Sequence, residues 1–440
     1  MLLSLLSFSI HAEVNPLQAT INLQNGSIQQ LTIKNDPHNM SWLIKTDGTQ
    51  YPWIKEKFSW GLGYFTIVQG NQHVKKEWNK PLKINQEGME VIYREDNICI
   101  KIARTFKDDG LMEKYTITNE GNLATSLHDI GIYTPFNDNY PGAEECINAR
   151  CNVHVWNGEN AAYVYALRMG GKAPHLGLIV TEGSVRNYEI WERSAQKGNS
   201  QYRGIFALNP PDLYLRPNES YTIAWYIFPH KGEQDFKQIM LEHGGILINS
   251  DKYVYQQGDT AHIEIKANFP LKNYTAKLNG ISIPLKKTND KYVLETQLMQ
   301  LGEVRLDLLY NNGKKTHADM LVIENEKKLL EKRIKFIRTH QQMNKPDDPR
   351  YGAYMIYDNE GDSIYLNDTP NCNPVDRDEG AERVGMGVLL AKQYRLTKDE
   401  TLKESLLKYA KFLRERLQTK DYVTYSSVDQ TNRNRGYNYM

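Results

Sequence analysis

Residues 373–387 hold the densest chemistry in the chain. Asp376, Asp378, Glu379 and Glu382 place four carboxylates within eight positions, alongside Arg377 and Arg383. The apolar residues that follow, Val388, Leu389, Ala391 and Tyr394, carry a helical period. On a helix, Asp378 and Glu382 share a face at a spacing of four, and Glu379 and Glu382 at a spacing of three. Crowded acids raise the pKa of one of their number, which can then act as a proton donor while a neighbour stays ionised. Glycosidic cleavage needs that division of labour, with carboxyls about 5–5.5 Å apart for retention or about 6.5–9.5 Å for inversion. Asp378, Glu379 and Glu382 are therefore the candidate catalytic residues, with Asp376, Arg377 and Arg383 as substrate-binding partners. The structural alternative is that the acids complement the dipole of the helix start and pair with the two arginines.

A second candidate lies between two runs of strand character, Tyr163 to Leu167 and Leu176 to Val180. Gly170-Gly171 and Pro174 read as the turn, and Arg168 and His175 as substrate-binding groups offered to an acidic sugar. The alternative is a structural hairpin whose His175 bonds a carbonyl. No helix follows these glycines, so they do not form a phosphate-binding loop.

These residues need elements to hold them, and the order of elements is legible. Residues 13–232 show period-two alternation with closely spaced turns, as in Ile21 and Leu23, Asn25-Gly26, then Ile28, Leu31 and Ile33. Ile98, Ile100 and Ile102 alternate before Asp109-Gly110, and Tyr221, Ile223, Trp225 and Ile227 give a strand that Pro229 should stop. This region predicts a large antiparallel β-sandwich. Residues 233–249 predict a linker helix, from Glu233 to His243. Residues 250–323 give about seven short strands, the pattern of a small immunoglobulin-like sandwich acting as a spacer. From 324 to 440 the period becomes helical. A helix is expected to about Gln341, and residues 344–373 form a polar loop containing Tyr351, Tyr354, Tyr357 and Tyr365. A helical hairpin then follows, its second helix running from about Asp399 to Leu417 with a capping box of Thr397 and Glu400. Tyr357 joins the candidate substrate-binding residues. One and a half hairpins cannot bury their own apolar faces, so further helices are expected downstream, and the second catalytic carboxylate with them.

Composition narrows the function classes. The 440 residues carry 54 Lys and Arg against 53 Asp and Glu, a net charge of +1, so no global field favours nucleic acid or an anionic membrane. The hydrophobic fraction of 40% supports packed cores. The 28 tyrosines against 11 phenylalanines suit strands, and a tyrosine ring can also stack on sugar while its hydroxyl stays wet. Met1 to Ala12 is a short apolar run ending in a small residue, which matches the latter part of a secretory signal peptide although no Lys or Arg precedes Lys34. A buried strand is its alternative. Export to the periplasm or beyond is the expectation, and the segment is too short to span a bilayer, which takes about 20 residues. Cys146 and Cys151 either pair across a turn or are small buried hydrophobes. No Walker, His-Glu-x-x-His or Gly-x-Ser-x-Gly motif is present, and Asp358-Asn359-Glu360-Gly361-Asp362 lacks EF-hand spacing, so neither a cofactor nor a metal is called for.

The order of a large sandwich, a small sandwich and helical hairpins opening on an acid-rich segment resembles the six-hairpin glycosidase superfamily. There a β-sandwich precedes an (α/α)6 toroid. Arg377 to Leu389, followed by Tyr394 to Glu400, looks like a first toroid hairpin. The segments Cys151-Asn152-Val153-His154-Val155-Trp156-Asn157-Gly158 and Ala166 to Leu178, with Thr181-Glu182-Gly183-Ser184, are similar to a largely uncharacterised bacterial and fungal family of secreted glycosidases. The resemblance implies an exported glycoside hydrolase acting on a poly- or oligosaccharide. A polysaccharide lyase on the same kind of toroid is the alternative, in which Arg377, His340 and the loop tyrosines matter more than Asp378. A non-catalytic glycan-binding protein is the third reading.

Overall fold

The computed structural model describes residues 7–10, 15–85, 88–191, 204–364, 383–422, 425 and 428. The chain divides into two compact units, residues 1–255 with 259–321, and residues 256–258 with 322–440.

The first unit is built on antiparallel sheets. Eight strands run in the spatial order Cys151–Trp156, Tyr163–Arg168, His175–Glu182, Ser220–His230, Gly110–Asn119, Ile98–Lys107, Glu90–Glu95, Pro81–Ile84. A six-stranded sheet centres on Thr125–Tyr133 and Gly63–Gln69. One apolar core joins the two and includes Phe65 and Ile132 from the smaller sheet and Ile100, Ile102, Ile223 and Trp225 from the larger. The alternation seen in the sequence is the cause. Ile98, Ile100 and Ile102 are buried while Lys101 between them is exposed, because successive side chains of a strand leave on opposite faces.

The core also encloses a charge pair. The Arg104 guanidinium lies 2.8 Å from the Glu113 carboxylate, with both side chains essentially inaccessible. Glu113 accepts further bonds from the indole N–H groups of Trp60 at 2.6 Å and Trp225 at 3.0 Å. Arg104 also donates to the Gly26 carbonyl at 2.8 Å, fixing the Asn25-Gly26 turn from below. Gly26 has φ +75°, and a Cβ there would fall 2.5 Å from Val91, so glycine is required.

Three expectations change. The strand Ser220–His230 continues through Pro229, which stands opposite Leu176. The ladder on its other side has already ended at Ile227, and a sheet tolerates proline where pairing stops. A short helix, α1 (Ala143–Ala149), interrupts the strands; seven residues are too few to give a periodic signal. The helix α2 (Glu233–Glu242) is where the sequence placed it but is not a free linker, because Phe236 and Met240 are buried against Ile179, Tyr226 and Phe228.

The smaller sandwich pairs a four-stranded sheet with a five-stranded one between Ile246 and Ile323. It is docked rather than tethered. Asn160 and Lys315 exchange two hydrogen bonds, at 3.1 and 2.7 Å, and the Trp156 and His317 rings lie 4.7 Å apart. At the start of the chain, Ser7–Ile10 pairs as a strand with Leu17–Asn22. The described cysteines Cys99, Cys146 and Cys151 are free thiols; Cys151 is the small buried residue of the unbridged reading, whereas Cys146 is only half-buried.

The second unit begins with α3 (Glu326–Phe336), capped by the Asn325 side chain on the Lys327 N–H at 3.1 Å. It runs into a π-helical turn, Ile337–Gln341. After a long loop and a two-stranded hairpin, Tyr357–Asp358 with Ser363–Ile364, come α4 (Val384–Thr397) and α5 (Glu400–Phe412). The capping box of Thr397 and Glu400 is corrected. Thr397 is the last residue of α4, bonding the Gln393 carbonyl, and Asp399 caps α5 through the Thr401 N–H at 2.9 Å. The core is Ile337, Tyr354, Leu390, Leu402, Tyr409 and Phe412, pinned by a buried polar knot. Gln342 donates to the Ser405 carbonyl at 2.9 Å and accepts from the Ser405 hydroxyl at 2.7 Å, and Tyr354 bonds the same hydroxyl at 2.9 Å. No helix among the described residues is long and apolar enough to cross a membrane.

Candidate functional site

The end of α3 and the loop hairpin together make an aromatic corner. Phe336 and His340 are four apart, so they share a helix face. Their rings stack at 4.6 Å and 6°. Tyr357, from the hairpin, stands edge-on to both, 5.0 Å from Phe336 and 6.1 Å from His340. His340 is exposed and Tyr357 half-buried, so the corner faces solvent. The loop that carries Tyr357 is ordered by its own contacts. Arg350 grips Asp348 through two bonds of 2.8 Å, and the buried Tyr354 is anchored to Ser405 in α5.

Local hydrogen bonds engage both polar groups. The Thr339 hydroxyl donates to the Lys335 carbonyl at 2.8 Å, which uses its only proton. Toward His340 Nδ1, 2.7 Å away, it can therefore only accept. In that arrangement His340 Nδ1 carries a proton, and Nε2 is the ring nitrogen that Thr339 does not engage. Tyr357 donates to Asp362 at 2.8 Å. That bond to a carboxylate raises the pKa of the phenol above its ordinary value, so at neutral pH it is a proton donor. An imidazole and a protonated phenol whose rings lie 6.1 Å apart can serve as a base and an acid. Such a pair can move a proton off carbon and onto a leaving oxygen. His340 also sits in a π-helical turn, a distortion common at functional sites.

Asp376, Arg377, Asp378, Glu379 and Glu382 lie outside the described residues. Arg383 precedes α4 as its N-cap residue and is half-buried; the described helix starts at Val384, after the acidic cluster. Tyr357 is in the corner just described.

Arg168 and His175 are corrected from exposed loop residues to interior ones. The Arg168 side chain is 1% exposed, 2.7 Å from the carboxylate of Asp36, whose side chain is equally inaccessible. It also donates to the Asn148 carbonyl in α1. His175 Nδ1 accepts the backbone N–H of Arg168 at 3.1 Å, where the sequence reading had the ring bonding a carbonyl. The ring lies 5.3 Å from that of His230, and burial followed by the Arg168 charge lowers its pKa. A strand pattern marks Arg168 and His175 as a hairpin pair but cannot show what faces them. Phe336 and Thr339 were missed as site residues; the spacing of four between Phe336 and His340 was the available signal. Among the described residues no group of three or more His, Cys, Asp or Glu side chains is placed to hold a metal ion.

A family model described as a family of unknown function, DUF5695, matches residues 206–430, just over half of the chain. No curated protein matches. Among solved structures, one described as a polysaccharide lyase is 57% identical with a TM-score of 0.91. That match covers 98% of this chain and 64% of the other, so the chain spans less than two thirds of that protein's length. The heparan sulfate lyase HepC of Pedobacter heparinus, in a mutant form, is 12% identical with a TM-score of 0.30, covering 72% of this chain and 41% of its own. A heparinase III is 10% identical with a TM-score of 0.27, covering 72% and 40%. The last two likenesses are too weak to bear on the fold.

Proposed function

We propose that this chain, which belongs to the family of unknown function DUF5695, is part of an exported polysaccharide lyase acting on a uronate-containing glycan. The observation that carries the reading is the 57% identity to a structure described as a polysaccharide lyase, extending over 98% of this chain. The expectation of a glycoside hydrolase gives way to the alternative that stood beside it. Helices α3 to α5 would belong to the (α/α)6 toroid implied by the sequence resemblance, and that assignment remains part of the proposal.

The reaction is a β-elimination. His340 Nε2 takes the proton from the carbon bearing the uronate carboxylate. The electron pair left there forms a double bond to the adjacent ring carbon, whose bond to the glycosidic oxygen breaks. The departing oxygen takes the Tyr357 phenolic proton. No water is consumed, and each cut leaves one unsaturated sugar. Removing that carbon-bound proton is feasible only when the neighbouring carboxylate is neutralised, the role proposed for Arg377. Asp376 and Arg383 would flank the same cleft.

The test is to incubate the intact protein with a panel of uronate glycans and follow ultraviolet absorbance alongside new chain ends. The expected result is one unsaturated product end per cut. New reducing ends without the chromophore would return the hydrolase reading, and binding without turnover would indicate a non-catalytic glycan-binding protein.

A further inference from the structure

The first unit holds a cavity of about 720 Å³ that the catalytic reading does not use. This size lies within the roughly 300–1,000 Å³ typical of small-ligand sites. Its walls come from two separate pieces of chain. The segment from His38 to Tyr51 supplies one wall, with His38, Lys45 and Tyr51. The stretch from Asn137 to Arg150, which includes α1, supplies the other, with Tyr140, Glu145 and Arg150.

The walls are built rather than incidental. Asp36 accepts the backbone N–H groups of His38 at 3.2 Å and Met40 at 3.1 Å, which shapes the first wall. The buried Arg168 pairs with Asp36 and bonds the Asn148 carbonyl of α1, so one guanidinium ties the two walls together from behind. Asn139 makes a second tie. Its side-chain oxygen accepts from Tyr51 of the first wall at 2.9 Å and from Arg150 of the second at 2.8 Å. Arg150, itself buried, also pairs with Glu145.

The chemistry of the lining selects a ligand class. Among the lining residues Lys45 and Arg150 are cationic and Glu145 is anionic, while Asp47, just outside the lining, lies in the field of Lys45. Lys45 and His38 are exposed within the lining, and Tyr140 is 41% exposed. An exposed ammonium suits a carboxylate, the amide of Gln50 suits sugar hydroxyls, and a partly exposed tyrosine ring suits a pyranose. We propose that this cavity, built from residues of the first unit, is a glycan-binding site that holds a uronate residue with Lys45 on its carboxylate and Tyr140 against its ring. The choice of a uronate rests on the lyase reading; the site itself does not depend on catalysis.

The experiment titrates the 440-residue chain by calorimetry with tetrasaccharides of glucuronate, galacturonate and mannuronate, and with their carboxyl-reduced neutral counterparts. At least one acidic tetrasaccharide is expected to bind ten-fold or more tightly than its neutral counterpart. Lys45→Gln and Tyr140→Ala should each weaken that binding by ten-fold or more. Both positions are exposed, so an unchanged thermal midpoint will show that the fold is intact. Failure of all three acidic ligands, equal affinity for the neutral ones, or binding that survives both substitutions would overturn the assignment. Pocket binding in a protein that makes no unsaturated product would sink the lyase reading alone.

Discussion

The guanidinium of Arg168 lies 2.7 Å from the carboxylate of Asp36, and both side chains are sealed from solvent. Burial by itself would raise the Asp36 carboxyl. Arg168 and the amides of His38 and Met40 outweigh it and hold the carboxyl below its ordinary value of 3.8. Removing one partner of such a pair strands a buried charge, at a cost of about 3–5 kcal/mol. Arg168→Met should therefore lower unfolding free energy in urea by that amount, and loosen the cavity walls it joins. Replacing Arg168 and Asp36 together by Met and Leu should cost clearly less. A double variant as unstable as the single one would show that Arg168 acts through packing alone.

The same carboxyl gives an acid-side signature. A depressed folded pKa adds stability that is present above the unfolded value and is lost as pH falls through the folded one. Acidification below pH 3.8 should thus destabilise the native chain more steeply than Asp36→Asn. Parallel curves would deny the linkage.

His230 predicts a different window. Burial, reinforced by the neighbouring His175, pushes its pKa down to about 4 from 6.5. Its ring stacks on Tyr165 at 5.0 Å and accepts the Gly232 N–H at 3.2 Å. Between pH 4 and 6.5 the unfolded chain binds a proton that the folded chain refuses. Stability is therefore greatest above 6.5 and falls as pH drops toward 4. Denaturation midpoints measured across that range should show this slope, and His230→Phe should reduce it. His175 is shifted in the same direction, so a smaller slope should remain in the variant.

In the aromatic corner, Tyr357→Phe keeps the ring packing against Phe336 and removes only the phenolic proton. Turnover by the intact protein should fall by about 10²–10⁴-fold, the range for loss of a positioned acid or base, with KM little changed. His340→Ala should fall comparably. Thr339→Val should give a milder loss, because it frees the imidazole tautomer without removing the ring. Tyr357→Phe with native turnover would move the acid elsewhere.

The acidic cluster separates the two chemistries. Under elimination, Arg377→Gln should cost more turnover than Asp378→Asn, Glu379→Gln or Glu382→Gln. The reverse ranking, with a loss of about 10²–10⁴-fold at one acid and saturated products, would restore hydrolysis.

Much of the architecture was decided locally and so could be read from the chain. Ile98, Ile100 and Ile102 repeat every second residue because their strand buries one face, and that pattern identifies the sheet. Leu402, Leu406 and Tyr409 mark the inward face of α5 at the helical period. Asn25-Gly26 fixes its turn through a backbone angle that other residues resist. What tertiary structure alone decided is which polar groups meet. Arg168 reads as a turn residue until Asp36, far away in sequence, is brought against it, and Arg104 reads as a strand residue until Glu113 and two tryptophans close around it. Pro229 should have ended its strand, but the end of the neighbouring ladder removed the penalty. His340 takes its hydrogen bond locally from Thr339, yet meets Tyr357 only when the loop folds back to set that ring 6.1 Å away. Periodicity records the face a residue presents to its nearest environment. Pairing across loops depends on closure and packing, which no local pattern contains.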